Sequence, residues 1–507
     1  MEVLQMTTAT TTTPLRRDAL VVFAGLLLVM FLGALDQTIM ATALPTIAGD
    51  LGGLSELTWV VTVYVLAAAA TTPVWGKLSD LFGRRGLLRT ALTIFLVASA
   101  LSGLAQSIGQ LIAFRTLQGA GAGGVMTLAM ASVGDIVAPR ERGRYQGYIQ
   151  AVFVLASIAG PLIGGVLVDH LSWRWVFYVN VPIGVAAFGL LGRQPAAAAP
   201  RRGARIDALG AVLLAGAVST GLLVTVWGGD RYAWGSVQVL ALVLAAVALV
   251  AGFIWQERRA AEPVLPLRLF RDRVFVVVSA GAFLATLSLF AAIVFLPLFL
   301  QLVTGATATT SGLLVLPMLL ASTFSTIVSG RLMTRTGRYK VFPVVGFTLM
   351  SAGLALLATL GASSGRGPAM AYMAVFGLGF GLTTQVLVVA VQNAVDRREL
   401  GTATASVNLF RALGGSVGVA VYGAVFAAGL RYALPRHLSG RADAIDAHGL
   451  QASPERIRML SAPVRHEVAT SVADALHSVF LVATPIAVAG LLVVLFLSER
   501  PLQKETS

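Results

Sequence analysis

Long apolar runs alternate with short polar stretches along almost the whole chain. Fourteen runs stand out, at about 19–42, 57–76, 87–106, 110–131, 145–168, 175–192, 206–227, 236–256, 275–301, 309–331, 341–361, 369–392, 402–429 and 475–497. A helix needs about 20 apolar residues to cross a hydrocarbon layer, or a few more if it is tilted. The alternating segments of about ten residues that mark a membrane β-barrel are absent. The pattern predicts an all-α integral membrane protein with fourteen transmembrane helices.

Composition agrees. Of 507 residues, 57% are hydrophobic and 12% charged, whereas soluble domains carry about 25% charged residues. The longest polar stretch, 431–473, is too short for a separate soluble enzyme. It reads as a loosely ordered loop on the outer surface. There is no cysteine, which excludes disulfides, thiol catalysis and thiolate metal sites. None of the five histidines lies in the middle of an apolar run, so no intramembrane metal site is expected. No GxxxxGK[ST] phosphate loop and no paired carboxylates occur in the spans, which argues against an ATP-driven pump or a membrane enzyme. The first run follows the polar segment MEVLQMTTATTTTPLRR. It is long enough to cross the bilayer and many spans follow, so it is read as a helix, not as a signal peptide cleaved near Ala41-Thr42-Ala43.

The net charge of +14 would suggest nucleic acid in a soluble protein. Here it orients helices. With the N-terminus placed in the cytoplasm, alternate loops and the tails on that side hold 26 of the 37 Lys and Arg residues. The short loops on the other side hold only Arg174, Arg231 and Arg366. That bias implies an even number of spans with both termini inside. Abundant Ala, Gly and Arg with few lysines fit a bacterial source and its inner (cytoplasmic) membrane.

A repeat divides the chain. GKLSDLFGRR (76–85) and GRLMTRTGRY (330–339) share Gly, Leu, Gly and Arg at an offset of 254 residues; GAGAG (119–123) and GLGFG (377–381) echo at 258. Spans 1–6 thus match spans 9–14. The expected organisation is a tail (1–18), a six-helix bundle (19–192), a linker with two inserted helices (193–260), a second six-helix bundle (261–498) that includes loop 431–473, and a short tail (499–507). Parallel repeats with a membrane-buried site between them are a transporter architecture.

Asp36 is the only acid deep in a span. It lies about 24 Å along span 1, at 1.5 Å per residue from Leu20. Arg115 lies at a similar depth on span 4, which runs the opposite way. Gln37 and Gln118 add polar groups beside them. Intramembrane ionisable residues are expensive and functional by default. Burial raises a carboxyl pKa and a guanidinium lowers it, so Asp36 is expected to load and release a proton, with a purely structural ion pair as the alternative. The matching position to Arg115 in the second half is Met373, and span 9 has no acid matching Asp36, so proton handling is assigned to the first half. Asn408 and Arg411 are a second polar intrusion, in span 13, either for an anion or substrate or for helix-end carbonyls. In the loop 76–85, Gly76 permits close helix approach and Gly83 a tight turn. Asp80 can accept from a neighbouring helix N-terminus or from Arg84, and Arg85 adds a second cation. This is either a latch or a basic topogenic loop. Gly160, Pro161, Gly164 and Gly165 give span 5 a bend and a bare face.

These motifs resemble the 14-spanner drug:proton antiporter family of the major facilitator superfamily over nearly the whole chain. LDQTIMATALP (35–45) resembles its span-1 signature, GKLSDLFGRR the superfamily loop motif, and RTLQGAGAGG (115–124) the span-4 motif whose arginine is associated with proton coupling. GPLIGG (160–165) resembles the antiporter motif, and WRWVFYVNVPIG (173–184) is the most family-specific stretch. Ala156 stands where that antiporter motif has a further glycine, and Leu81 where a basic residue is common. The segment LLASTFSTIVSG in span 10 lacks the second acid that exporters of divalent organic cations tend to have.

The resemblance implies a proton-coupled multidrug exporter working by alternating access on lipophilic, monovalent cationic or neutral compounds. It would act as a monomer, without metal, nucleic acid or other cofactor. Rivals are a dedicated exporter of one natural product or lipid, and a proton-coupled uptake symporter, which GPLIGG argues against. Trp59, Tyr64, Phe153, Phe290 and Phe295 are candidate walls of the substrate cavity, with Gln37, Gln118, Asn408 and Arg411.

Overall fold

The computed structural model describes residues 17–51, 57–137, 141–192, 207–229, 231–306, 308–437 and 462–500. The tail through residue 16, most of the expected linker before the inserted helices and the middle of loop 431–473 lie outside the described residues.

The helices are α1 (Arg17–Leu51), α2 (Leu57–Phe82), α3 (Arg84–Gly103), α4 (Ile108–Ile136), α5 (Arg142–His170), α6 (Trp175–Tyr178), α7 (Asn180–Leu191), α8 (Ala208–Trp227), α9 (Val237–Glu257), α10 (Arg273–Leu302), α11 (Ala308–Leu314), α12 (Leu316–Thr336), α13 (Val341–Ala358), α14 (Arg366–Ala394), α15 (Leu400–His437) and α16 (Ala462–Leu495). Among the described residues, 12 helices are long and apolar enough to cross a membrane. The glycine-rich α4 and the shorter apolar segment Trp175–Leu191 complete the expected set. Spans 6 and 10 are each broken once, at Val179 and Val315. Pro317 sits in the first turn of α12, where its missing N–H costs nothing.

Helix ends follow local chemistry. Ser107, Asp207, Ser236 and Asp272 accept from backbone amides at the starts of α4, α8, α9 and α10, satisfying donors that would otherwise be orphaned. A single residue, Gly83, joins α2 to α3 at φ 89°. Its repeat partner Gly337 ends α12 at φ 70°. A side chain would strain both turns.

The repeat is structural. In the first half α1 packs on α5, α2 on α4 and α3 on α4; in the second, α10 packs on α15, α12 on α14 and α13 on α14. The glycine echo causes this. A Cβ on Gly119 would lie 2.4 Å from the Tyr64 carbonyl of α2, and one on Gly377 2.2 Å from the Met318 carbonyl of α12. Gly121 meets the α3 backbone at Phe95, and Gly379 the α13 backbone at Gly346 and Met350. Alternating glycines let one helix lie against two backbones at once.

The halves meet along two seams, α2 with α15 and α5 with α12. Helix α8 packs on both α2 and α15, and α9 packs on α8. Leu214, Val218 and Leu222 of α8 share a core with Leu66, Ala69 and Ala70 of α2. The end of the molecule carrying Gly83, Gly337 and Arg398 is called the basic end below.

The polar stretch 431–473 departs from expectation. Helix α15 runs on to His437 and α16 begins at Ala462. Leu430 and Leu434, then Val468 and Val472, recur four residues apart and are buried in one core. These flanks are amphipathic helix, which a count of continuous apolar residues does not detect. His437 and Asp474 hydrogen-bond across them at 2.9 Å.

Candidate functional site

Asp36 is fully buried, and three side chains from two other helices satisfy it. Arg115 Nη1 donates to Oδ2 at 2.8 Å. Gln118 Nε2 and Asn180 Nδ2 each donate to Oδ1 at 2.8 Å. Arg115 also donates to Gln118 Oε1 at 2.9 Å, and its guanidinium lies 4.1 Å from the centre of the Tyr64 ring. Asn180 donates in turn to Ser99 Oγ at 3.0 Å, and Ser99 to the Phe177 carbonyl at 2.9 Å. The carboxylate therefore ties α1 to α4 and α7. Both of its oxygens accept in these bonds. Among the described residues, one buried polar atom at the site, Asn180 Oδ1, makes no hydrogen bond.

Sequence reasoning brought Arg115 and Gln118 to Asp36 but missed Asn180 and Ser99. The one signal for Asn180 was an amide inside the short apolar span 6.

A second cluster lies at the basic end. Asp80 accepts from Gly401 N at 2.9 Å, Thr402 N at 2.7 Å and Thr402 Oγ1 at 2.8 Å. A first-half carboxylate thus caps the first turn of α15 in the second half, where the helix dipole favours negative charge. Arg84 donates to the same carboxylate at 3.1 Å and pairs with Asp135. Gly76 makes the approach possible, since a Cβ there would fall 2.4 Å from Ala405 Cβ. Arg142 donates to the Gln392 carbonyl of α14 at 3.3 Å and to the Gly134 carbonyl in its own half. Lys77 pairs with Glu262 at 2.8 Å, and Arg268 with Glu399. These groups surround a polar pocket of about 310 Å³. Arg85 instead caps the far end of span 6, donating to Gly192 O at 2.9 Å.

The two glycines of span 5 that face α1 are filled by it. A Cβ on Gly160 would lie 2.1 Å from Thr38 Oγ1, and one on Gly164 2.3 Å from Thr42 Oγ1. Thr38 donates to the Ala156 carbonyl at 3.0 Å. Gly165 faces open space and Pro161 is exposed.

The family model for the Major Facilitator Superfamily matches residues 26–209 and 196–419. The chain belongs to that superfamily. It is 37% identical over 510 residues to the multidrug transporter protein MdtP of Bacillus subtilis, covering 95% of this chain and 93% of the relative. Multidrug resistance protein 3 of the same organism is 34% identical over 415 residues, 82% of this chain and 81% of the relative. An uncharacterised MFS-type transporter of Mycobacterium tuberculosis is 39% identical over 490 residues, 96% of this chain and 70% of that protein. Among solved structures, a proton:xylose symporter has a TM-score of 0.60 at 15% identity, over 95% of this chain and 96% of that one.

Within this superfamily fold, the candidate wall residues take different positions. Trp59 stacks edge-on against Trp227 of α8 at 5.6 Å. Phe295 is buried against Phe426 within the second half. Large aromatic rings gain more by packing than by lining an open space. Tyr64 and Gln118 belong to the Asp36 cluster. Phe153 packs on the first-half core, and Phe290 lies against Gly415 and Gly418 of α15. Gln37 is exposed, on a helix whose main neighbours are α4, α5 and α7. Asn408 reaches Met130 Sδ of α4 at 3.6 Å.

Proposed function

We propose that this protein is a proton-driven exporter of lipophilic small molecules, working by alternating access between its halves, with Asp36 as the proton site. The observation that carries the reading is a lone intramembrane carboxylate fixed by Arg115, Gln118 and Asn180 with no contact to bulk water. Relatives named multidrug transporter protein and multidrug resistance protein support it.

Ionised Asp36 holds α1, α4 and α7 together. A proton that reaches it removes the charge that attracts Arg115 and turns one acceptor oxygen into a donor. The cluster must then rearrange, and α1 is freed to shift against α5 along the bare face made by Gly160 and Gly164. The basic end is taken to face the cytoplasm of a bacterial cell. The ties through Asp80 and Arg142 close that end, so this arrangement is the one open to the other side, from which a proton is taken up.

Purified protein in liposomes with an imposed proton gradient tests the reading. Addition of a lipophilic substrate should release protons from the native protein and not from Asp36→Asn. Retained gradient-coupled transport in Asp36→Asn would overturn the assignment of Asp36.

A further inference from the structure

Arg411 is a charge the proton cycle does not use. It lies 11 residues into α15, about 16 Å along the axis at 1.5 Å per residue. It is half-buried, and among the described residues it makes no hydrogen bond, ion pair or ring contact. Asp36, Arg115 and Asp80, by contrast, are matched. Asp36 is held by three donors, Arg115 by Asp36, and Asp80 by Arg84 and the α15 amides.

Neighbouring residues fix the direction in which Arg411 points. Asn408, three positions earlier, touches Met130 of α4 in the first half. Gly414, three positions later, lies against the Phe283 carbonyl of α10. At 100° per residue, Arg411 falls midway between them. Its side chain therefore rises between α4 and α10, in the space where the two halves face each other. A solute in that space meets an unmatched guanidinium and no unmatched carboxylate. A cationic solute finds no counter-charge there, because both Asp36 oxygens are engaged. An anionic one finds a planar fork suited to a carboxylate or sulfonate.

We propose that Arg411 is a substrate-binding residue and that the preferred solutes are lipophilic anions, an apolar body bearing one carboxylate or sulfonate that docks on the guanidinium. This rests on the transport reading above and departs from the charge class that the family resemblance implies. The same chemistry could come from the headgroup of an anionic lipid, so the test separates the two.

Full-length protein in phosphatidylcholine nanodiscs is titrated with 8-anilinonaphthalene-1-sulfonate and with its uncharged parent, N-phenyl-1-naphthylamine, with empty discs as background. Native protein should bind the sulfonate about tenfold or more tightly than the parent. Arg411→Gln should remove that preference and leave the affinity for the parent unchanged, and Arg411→Lys should keep part of it. Binding is read at equilibrium with no proton gradient, so failure of the antiport reading is seen separately, in the liposome assay. Absence of the preference in native protein, or its survival in Arg411→Gln, would overturn the proposal. So would its loss when phosphatidylglycerol is added to the discs, which would assign the site to lipid.

Discussion

Replacing Asp80 with Asn tests whether the basic-end cluster holds the halves together. The native carboxylate accepts three hydrogen bonds from the first turn of α15, at 2.7 to 2.9 Å, and one from Arg84. A hydrogen bond to a charged group contributes about 1.5–3 kcal/mol net. Asparagine keeps one acceptor oxygen, loses the charge that complements the helix dipole, and turns a donor toward an amide. A loss of about 3 kcal/mol from the closed arrangement follows, about 150-fold in the ratio of closed to open. Thr402→Ala removes one of the three bonds and should cost about 1 kcal/mol, about fivefold. The chain has no cysteine, so Phe82→Cys and Leu332→Cys place spin labels on exposed sites of α2 and α12 without background. Double electron–electron resonance should show one short distance in the native protein and a second, longer one in Asp80→Asn. An unchanged distance distribution would refute the latch and leave the loop as a topogenic element.

Other outcomes follow from the same geometry. Arg115→Ala leaves Asp36 buried and unpaired and should destabilise the protein by about 3–5 kcal/mol; thermal unfolding in detergent reads this, and Arg115→Lys should recover little, since one ammonium cannot meet Asp36, Gln118 and the Tyr64 face together. Gly160→Ala forces a methyl into Thr38 and should cost about 1–3 kcal/mol, whereas Gly165→Ala, five residues on and facing open space, should melt with the native protein. At the opposite end, hydrogen bonds from Trp173 and Arg174 hold the Asp50 carboxyl below its usual range. Its contribution to stability is therefore complete above the pKa it has unfolded and lost only as pH falls through the lower folded value. The melting temperatures of native protein and Asp50→Asn should converge only in that acid range.

Spans, repeat and ion pair were legible because each rests on a strong local signal. A charge inside an apolar run has few reasons to exist, and two of opposite sign at one depth have little else to bond. Alternating glycines at a fixed offset signalled the same helix crossings twice over. What escaped depended on contacts between distant segments. Asn180 is an ordinary amide until folding brings it, 144 residues away in sequence, to Asp36. Thr402 and Arg142 carry no pattern of their own; their partners, the Asp80 carboxylate and the Gln392 carbonyl, belong to the other half, which sequence alone does not place. The helical flanks of 431–473 were missed because an amphipathic helix is half polar. The packing of Phe295 against Phe426 escaped because burial in a core and exposure to a cavity look alike in a hydrophobic run.

The inserted pair α8–α9 breaks the symmetry of the duplication in a way that concerns the surrounding lipid. Helix α8 lies against both α2 and α15 and so covers one of the two seams between the halves, with its Thr225 bonded to Ser416 of α15. At the α5–α12 seam the helix that packs on both partners is α14. Leu155, Ile158, Leu162 and Phe324, on the two helices of that seam, are all exposed. A hydrophobic molecule dissolved in one leaflet would therefore meet an exposed apolar face along the seam that lies away from the insertion.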